Sequence, residues 1–311
     1  MGEDGVTVCH FYELCGDIIG EEIAFEKEDA EYYEMVLQEA SSKIGDYLMR
    51  YDAILVDEGQ DFTGDMLKVV TALLNPKTNN LTIAFDDNQN IYREKPNWKD
   101  MGVQARGRVH NIPCVYRNTI EISEFASRFI SQPSRKTDNT KTDQQELFPD
   151  FSDFHGPKPA INRFQSFEEI TGYVGEKTRE IVKTENCPYS EIAILYAMKN
   201  PGKNIETSLP QMVESTLESK GILSSWVSEN YRSKKTYDIT TNSVTISTIH
   251  SVKGLDYSTV FLLGLDFLEP NGWTEEQINN LVYVAITRAR YRLIIPYIRN
   301  NAIVERLKEC L

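Results

Sequence analysis

Tyr51-Asp-Ala-Ile-Leu-Val-Asp57-Glu58-Gly59-Gln60-Asp61-Phe62 is an apolar run that stops abruptly in consecutive acids. Its apolar residues do not alternate with polar ones, which is how a parallel strand covered on both faces reads. An acid at the C-terminal end of such a strand sits where open α/β sheets bind ligands. Asp57 there suits a magnesium ion, held directly or through water, and Glu58 suits a base that orients water toward a γ-phosphate. A strand running into a solvated acidic turn is the plainer reading of the same residues, and at this point both stay open.

Outward from this box, β-branched apolar runs recur between amphipathic stretches, the pattern of a parallel α/β architecture. Strands are expected at Val6–Phe11, Asp52–Val56, Leu81–Phe85, Ile192–Tyr196, Val244–Thr248, Thr259–Leu263 and Arg292–Pro296. Helices are expected at Asp29–Ser42, Gly64–Leu74, Thr119–Ile130, Phe167–Lys183, Thr207–Lys220 and Glu275–Arg290; Met66, Val69, Val70 and Leu73 show the helical spacing. Both halves read as doubly wound parallel sheets. Ser131–Pro159 breaks the rhythm with polar residues and prolines, so a long loop or disordered insert is expected at about 131–160. Asn200–Lys203 and Arg232–Lys235 read as surface connections.

With 311 residues the chain is long enough for two domains, each with its own core. Hydrophobic content of 41% and charged content of 26% are those of a soluble globular protein, and no apolar run reaches the roughly 18 residues of a membrane span. Met1–Gly5 is acidic and the next apolar stretch is short, so no secretory signal is read and the expected compartment is cytoplasmic. The five cysteines show no paired spacing, which argues against a disulfide framework; Cys9-His10 with Cys15 lacks a second ligand pair for a metal. A net charge of −14 excludes a broad polyanion binder, so any nucleic-acid contact has to be local, along a groove.

Four further blocks carry polar chemistry at element ends. Leu81-Thr-Ile-Ala-Phe85 runs into Asp86-Asp87-Asn88-Gln89-Asn90-Ile91-Tyr92, where the Gln89 amide suits a phosphate oxygen. Val115-Tyr116-Arg117-Asn118 places an arginine at a helix start, where its fork suits phosphate. In Thr245-Ile-Ser-Thr248-Ile249-His250-Ser251-Val252-Lys253-Gly254-Leu255-Asp256-Tyr257 a strand leads into a polar lysine-glycine turn. Gly254 permits close backbone approach there, and Thr248, His250 and Ser251 are short donors of the kind that position a sugar-phosphate backbone. Leu281-Val-Tyr283-Val284-Ala285-Ile286-Thr287-Arg288-Ala289-Arg290 reads as an apolar-faced helix with arginines near its end. Taken singly, each block also reads as turn, surface ion pair, core strand or packed helix.

In order and spacing, the five blocks together resemble motifs II, III, IV, V and VI of superfamily 1A helicases, the UvrD, Rep and PcrA family. The matching residues are Asp57-Glu-Gly-Gln-Asp61, Asp87-Asn-Gln89-Asn-Ile-Tyr92, Tyr116-Arg117-Asn118, Thr248-Ile-His250-Ser-Val-Lys253-Gly254-Leu-Asp256-Tyr257 and Tyr283-Val-Ala-Ile-Thr287-Arg288-Ala289. Val8-Cys-His10-Phe11-Tyr-Glu-Leu-Cys15 is similar to motif Ib, more weakly. The resemblance spans nearly the whole chain and implies two RecA-like doubly wound lobes, the first incomplete: 1–112 as the end of domain 1A and 113–311 as domain 2A. It implies ATP and Mg2+ as cofactors and single-stranded DNA as partner. Asp57 would bind the metal and Glu58 activate water, while Gln89, Arg117 and Arg288 meet the γ-phosphate from both sides of an interdomain cleft. Tyr92, Gly254 and Asp256 would lie at the nucleotide, Asp256 where the family has a ribose-binding glutamate. Thr248, His250 and Phe11 would contact the strand.

The chain also departs from the family. No Gly-x-x-x-x-Gly-Lys-Ser/Thr occurs in it; Asn200-Pro-Gly202-Lys203-Asn204 lacks the first glycine and the hydroxyl. The expected partner is therefore a phosphate-loop segment supplied in cis or in trans, and this chain by itself is expected not to turn over ATP. The short spans between motifs Ib and II and between IV and V leave little room for accessory domains. Arg93, Glu94 and Lys95 follow Tyr92 where the family has a base-stacking aromatic. The competing expectation is a non-catalytic, degenerate helicase module that binds a protein partner or regulates a nuclease.

Overall fold

The computed structural model describes residues 5–25, 29–86, 103, 107–110, 114–115, 117–131, 150–151, 154–200, 207–229, 233, 238, 241–269 and 273–311. The chain divides into two units, Met1–Asn111 and Ile112–Leu311. Among the described residues no helix is long and apolar enough to cross a membrane.

In the first unit the expected strand Val6–Phe11 is not formed. Phe11–Ile19 is instead a helix, α1, that starts on a capping box: His10 Nδ1 accepts the Tyr12 N–H at 3.3 Å and Glu13 Oε2 accepts the His10 N–H at 2.8 Å. Gly20 ends α1 in the left-handed conformation, φ 85°. Helix α2 spans Ala30–Lys43, capped by Asp29, and α3 spans Gly64–Ala72, capped by Thr63. Strands β1 (Ala53–Val56) and β2 (Asn80–Ile83) pair in parallel, with Val56 opposite Ile83. Val56 joins Phe11, Cys15, Val36, Leu37, Met66, Val70 and Leu73 in one core. Ile54 packs against that core, whereas Leu55, on the alternate face, is 79% exposed.

The second unit holds a six-stranded parallel sheet in the order β5-β10-β9-β6-β8-β7: β5 Ala160–Arg163, β6 Ile192–Tyr196, β7 Ser224–Trp226, β8 Val244–Thr248, β9 Tyr257–Leu263 and β10 Ala289–Tyr297. A separate two-stranded pair joins β3 (Cys114–Val115) to β4 (Asp150–Phe151). One face of the large sheet (Ile192, Ile194, Ile246, Phe261, Leu263, Ile294) packs on α5 (Phe167–Glu185) and α6 (Leu209–Ser219). The alternate residues Ala193, Leu195, Val260, Leu262, Leu293 and Ile295 are buried too, as both faces of a doubly wound sheet must be. Helices α4 (Ile120–Ser131) and α7 (Glu275–Thr287) pack on each other and on β10, and α8 (Ala302–Glu309) closes the chain.

The expected helix to Arg290 ends at Thr287, and β10 starts two residues later, so Arg290 belongs to a strand. In the polar stretch after Ser131, residues 132–149 lie outside the described ones. Phe154 accepts the Ile120 N–H at 2.9 Å, and Glu121 accepts from Gly156 N at 2.8 Å and pairs with His155. The C-terminal part of that stretch is thus fastened to the start of α4. Of the two expected connections, Asn200 is described and exposed and 201–203 are not; of 232–235 only Ser233 is described.

Candidate functional site

The acidic box follows directly from the end of β1. Asp57 is exposed, and one of its carboxylate oxygens accepts the Glu58 N–H at 2.9 Å. Glu58 itself stands at φ 53°, ψ 41°, a left-handed conformation that L residues adopt only when their surroundings enforce it. Two neighbours do so here. Gly59 donates its N–H to Ala84 O at 2.8 Å, so close to β2 that a Cβ on it would lie 2.3 Å from Ile83 Cγ2. Gln60, 4% exposed, donates its amide to the Glu58 carboxylate and accepts the Asp86 N–H at 3.0 Å. A magnesium ion is held by one or two carboxylates together with phosphate oxygens and water. Asp57, exposed at a strand end with oxygen lone pairs to spare, fits that demand, and among the described residues no cluster of three or more ligating side chains offers an alternative. Gln89 and Tyr92 lie outside the described residues.

In the second unit three of the expected residues come together at the N-terminal ends of β9 and β10. Arg117 is exposed just before α4, and its neighbour Asn118 is 4% exposed. The Asn118 amide donates to Thr287 O at 2.9 Å and Ala289 O at 2.6 Å, straddling Arg288. Arg288 is 3% exposed; its Nε donates to Val284 O at 3.1 Å and one terminal nitrogen to Leu255 O at 3.0 Å. Next to Leu255, the Asp256 carboxylate lies 3.3 Å from Arg290 Nε, and Arg290 also pairs with Glu191 just ahead of β6. The pairing of β9 with β10 shifts register between Ala289 and Arg292, a bulge of the kind that re-aims a side chain. The chain around Arg117, Asp256, Arg288 and Arg290 is thus brought together across the entries to α4, β9 and β10, with the Arg288 side chain buried.

Thr248 and His250 sit at the other end of the same sheet, where Thr248 is level with Tyr196. A chain of hydrogen bonds fixes the turn: Trp226 Nε1 donates to Tyr196 Oη at 3.1 Å, Tyr196 Oη meets Ser228 Oγ at 2.9 Å, and Ser228 Oγ accepts the Thr248 N–H at 3.0 Å. The Thr248 hydroxyl closes the turn with Ser251, through its Oγ at 3.0 Å and its N–H at 3.2 Å. The His250 ring stands edge-on to Trp273, and burial together with nearby Lys253 holds its basicity below the usual histidine value. Gly254 is required by its φ of 87° rather than by a close neighbour. Phe11, the remaining expected strand contact, is 8% exposed in the core of the first unit, edge-on to Phe62 at 5.4 Å.

Sequence reasoning gave no role to Gln60, Asn118, Arg290 or Trp273. Gln60 and Asn118 stand inside quoted blocks, but their partners lie 26 and 169–171 residues away, which no local pattern announces.

The sequence profile of the UvrD/REP helicase N-terminal domain matches residues 11–95, and that of the UvrD-like helicase C-terminal domain matches residues 217–300. The probable DNA helicase II homolog of Mycoplasma capricolum is 28% identical over 164 residues, which are 51% of this chain and 21% of that protein. The ATP-dependent DNA helicase PcrA of Leuconostoc citreum is 23% identical over 189 residues, 56% of this chain and 23% of that protein. The matched stretches thus span less than a quarter of either relative's length. Among solved structures, the C-terminal domain of a possible DNA helicase from Lactobacillus plantarum aligns over 62% of this chain and 93% of its own, with a TM-score of 0.41 and 15% identity. At that low likeness it is the strand order, not this neighbour, that defines the fold. With both halves of the helicase signature matched in order along it, the chain belongs to the UvrD/Rep/PcrA type of helicases.

Proposed function

We propose that this chain is part of an ATP-driven translocase acting on single-stranded DNA, with its first unit the end of one RecA-like lobe and its second unit the other. The observation that carries this reading is the acidic box: Asp57 and Glu58 leave the C-terminal end of a parallel strand, and Glu58 is held in a left-handed conformation by Gly59 and Gln60. Strained backbone kept by several independent contacts is a mark of functional positions. The exposed face of β1 at Leu55 is one that a further layer of a doubly wound lobe would cover.

In this reading Asp57 holds the magnesium ion, which neutralises phosphate charge when bound. The Glu58 carboxylate orients and deprotonates the attacking water. Arg117 offers its exposed fork to the γ-phosphate. Arg288, buried and bonded through its Nε and one terminal nitrogen to main-chain carbonyls, adds its fixed positive charge beside Arg117. Asp256 lies beside the sugar, and the Thr248–Gly254 turn lies against the sugar-phosphate backbone of the strand. Turnover needs a phosphate loop, whose main-chain N–H groups and lysine position the β- and γ-phosphates; it comes from elsewhere in cis or in trans.

The test is DNA-stimulated phosphate release with that loop supplied, comparing the natural residue with Glu58→Gln. Loss of a positioned base lowers turnover by roughly 100-fold or more while nucleotide binding persists. Near-normal turnover of Glu58→Gln would remove the acidic box from the chemistry and, with it, the reading.

A further inference from the structure

We propose that the trough between α2 and α3 is a docking site for an amphipathic, lysine- and arginine-rich helix of another protein. The proposal does not rest on the reading above, in which α2 and α3 take no part.

Helices α2 and α3 pack on each other, and beside their contact lies a cavity of about 690 Å3. Its floor is apolar: Leu37, Met66 and Val69 line it and are buried. Its rim is open to solvent, with Glu34 and Ser41 of α2 and Asp65 of α3 exposed. Glu34, Leu37 and Ser41 stand three and four residues apart, so one face of α2 forms a whole wall.

The form of the occupant follows from the walls. Along their length α2 and α3 bond their main-chain groups within themselves, so the trough offers no strand edge to an extended peptide. An occupant has to arrive with its own backbone bonds satisfied, as a helix does. Apolar residues at i, i+3, i+4 and i+7 give such a helix the stripe that covers Leu37, Met66 and Val69. The flexible thioether of Met66 adapts to an inserted side chain.

Charge selects the kind of helix. Residues 1–111 hold 22 acids against 10 lysines and arginines, whereas residues 112–311 hold 25 against 23, so the first unit carries −12 of the −14. Eleven of those acids fall between Glu13 and Asp46, with only Lys27 and Lys43 among them. Lys43 is paired with Glu39 at 2.7 Å and Lys68 with Asp65 at 2.7 Å. Among the described residues no cation pairs with Glu34, which accepts the Gln38 amide at 3.4 Å. The surplus on this unit is therefore carboxylate. Such a surface repels a phosphate backbone and a second copy of the same acidic chain, and it attracts lysines and arginines that flank an apolar stripe.

The experiment uses the full chain and three labelled synthetic peptides of about 18 residues, five turns of helix. One carries leucines at the i, i+3, i+4, i+7 spacing with lysine and arginine elsewhere; the second keeps the stripe with glutamate elsewhere; the third has the basic composition in an order that breaks the stripe. Binding is followed by anisotropy. At about 0.1 M salt the basic striped helix binds at least roughly 10-fold more tightly than either of the others. Ser41→Trp, which fills the trough from an exposed position, lowers that affinity by roughly 10-fold or more. Glu34→Lys, which keeps the test open should the tryptophan disturb α2, lowers it by a smaller factor that vanishes at about 1 M salt. The proposal is overturned if either control peptide binds as tightly as the basic striped one, if both variants bind it as the natural chain does, or if no peptide binds. Dimerisation of the natural chain that Ser41→Trp removes would give the trough to a second copy and overturn it as well.

Discussion

Gln60 ties the carboxylate of Glu58 to the end of the neighbouring strand with the two ends of one buried amide. Its nitrogen donates to Glu58, and its oxygen accepts the Asp86 N–H at 3.0 Å. On the proposed reading Glu58 is a base that must be aimed within a fraction of an ångström, and Gln60 positions it from outside the chemistry. Misplacement by about 1 Å costs on the order of 100-fold in rate. Gln60→Ala is expected to lower kcat for ATP by about that factor, with KM changed by no more than a few-fold, in the loop-supplied protein. An unchanged kcat would show that Glu58 holds its aim without Gln60.

Gly59 tolerates no side chain. The Cβ of Gly59→Ala would lie 2.3 Å from Ile83 Cγ2 and 3.2 Å from Ala84 O. Overpacking of this kind costs about 1–3 kcal/mol, read as a lower urea midpoint of the chain. Adding Ile83→Ala to the same variant removes the clashing methyl and recovers part of the loss. No recovery would place the cost in the backbone and not in that contact.

Adjacent residues before α4 are expected to answer differently. Asn118→Ala removes two hydrogen bonds to the carbonyls on either side of Arg288 and costs about 1–3 kcal/mol of stability. Arg117, exposed, costs within about 0.5 kcal/mol when replaced by alanine. Nucleotide-dependent turnover should fall in Arg117→Ala all the same. If Arg117→Ala destabilises as much as Asn118→Ala, the arginine serves the fold and not a phosphate.

Much of this was legible in the residues themselves. Ile192–Tyr196 and Val244–Thr248 read as buried strands because every position is apolar or small, which only a sheet covered on both faces requires. Val6–Phe11 misled because Val6 and Val8 alternate like a strand, while the cap that starts α1 uses a histidine in place of the usual Ser, Thr or Asp. The junction at Arg288 was misread because neither glycine nor proline marks the change from α7 to β10. Ala160–Arg163 and Ser224–Trp226 are short edge strands with too few residues to set a period. The candidate site residues stand in motifs that a sequence displays; Gln60, Asn118 and Trp273 reach Asp86, the carbonyls beside Arg288 and the His250 ring through contacts distant in sequence.

The turn that carries His250 should weaken in mild acid. Burial, and then the positive charge of Lys253, hold this imidazole below its ordinary value of 6.5. Between that ordinary value and the lowered one the unfolded chain binds the proton and the folded chain does not. Stability therefore rises with pH across this window, is complete above about 6.5, and is lost as pH falls toward the folded value. Asp266 works in the opposite sense: burial raises it above its ordinary 3.8, so its contribution is complete below that value and declines as pH rises through the raised one. The two are separable by substitution. The thermal midpoint of the natural chain is expected to drop between about pH 7 and about pH 5.5, and His250→Gln, which cannot take up the proton, is expected to flatten that drop. Asp266→Asn should leave the drop in place. A His250→Gln chain whose midpoint falls with acid as steeply as that of the natural chain would show that the loss originates elsewhere.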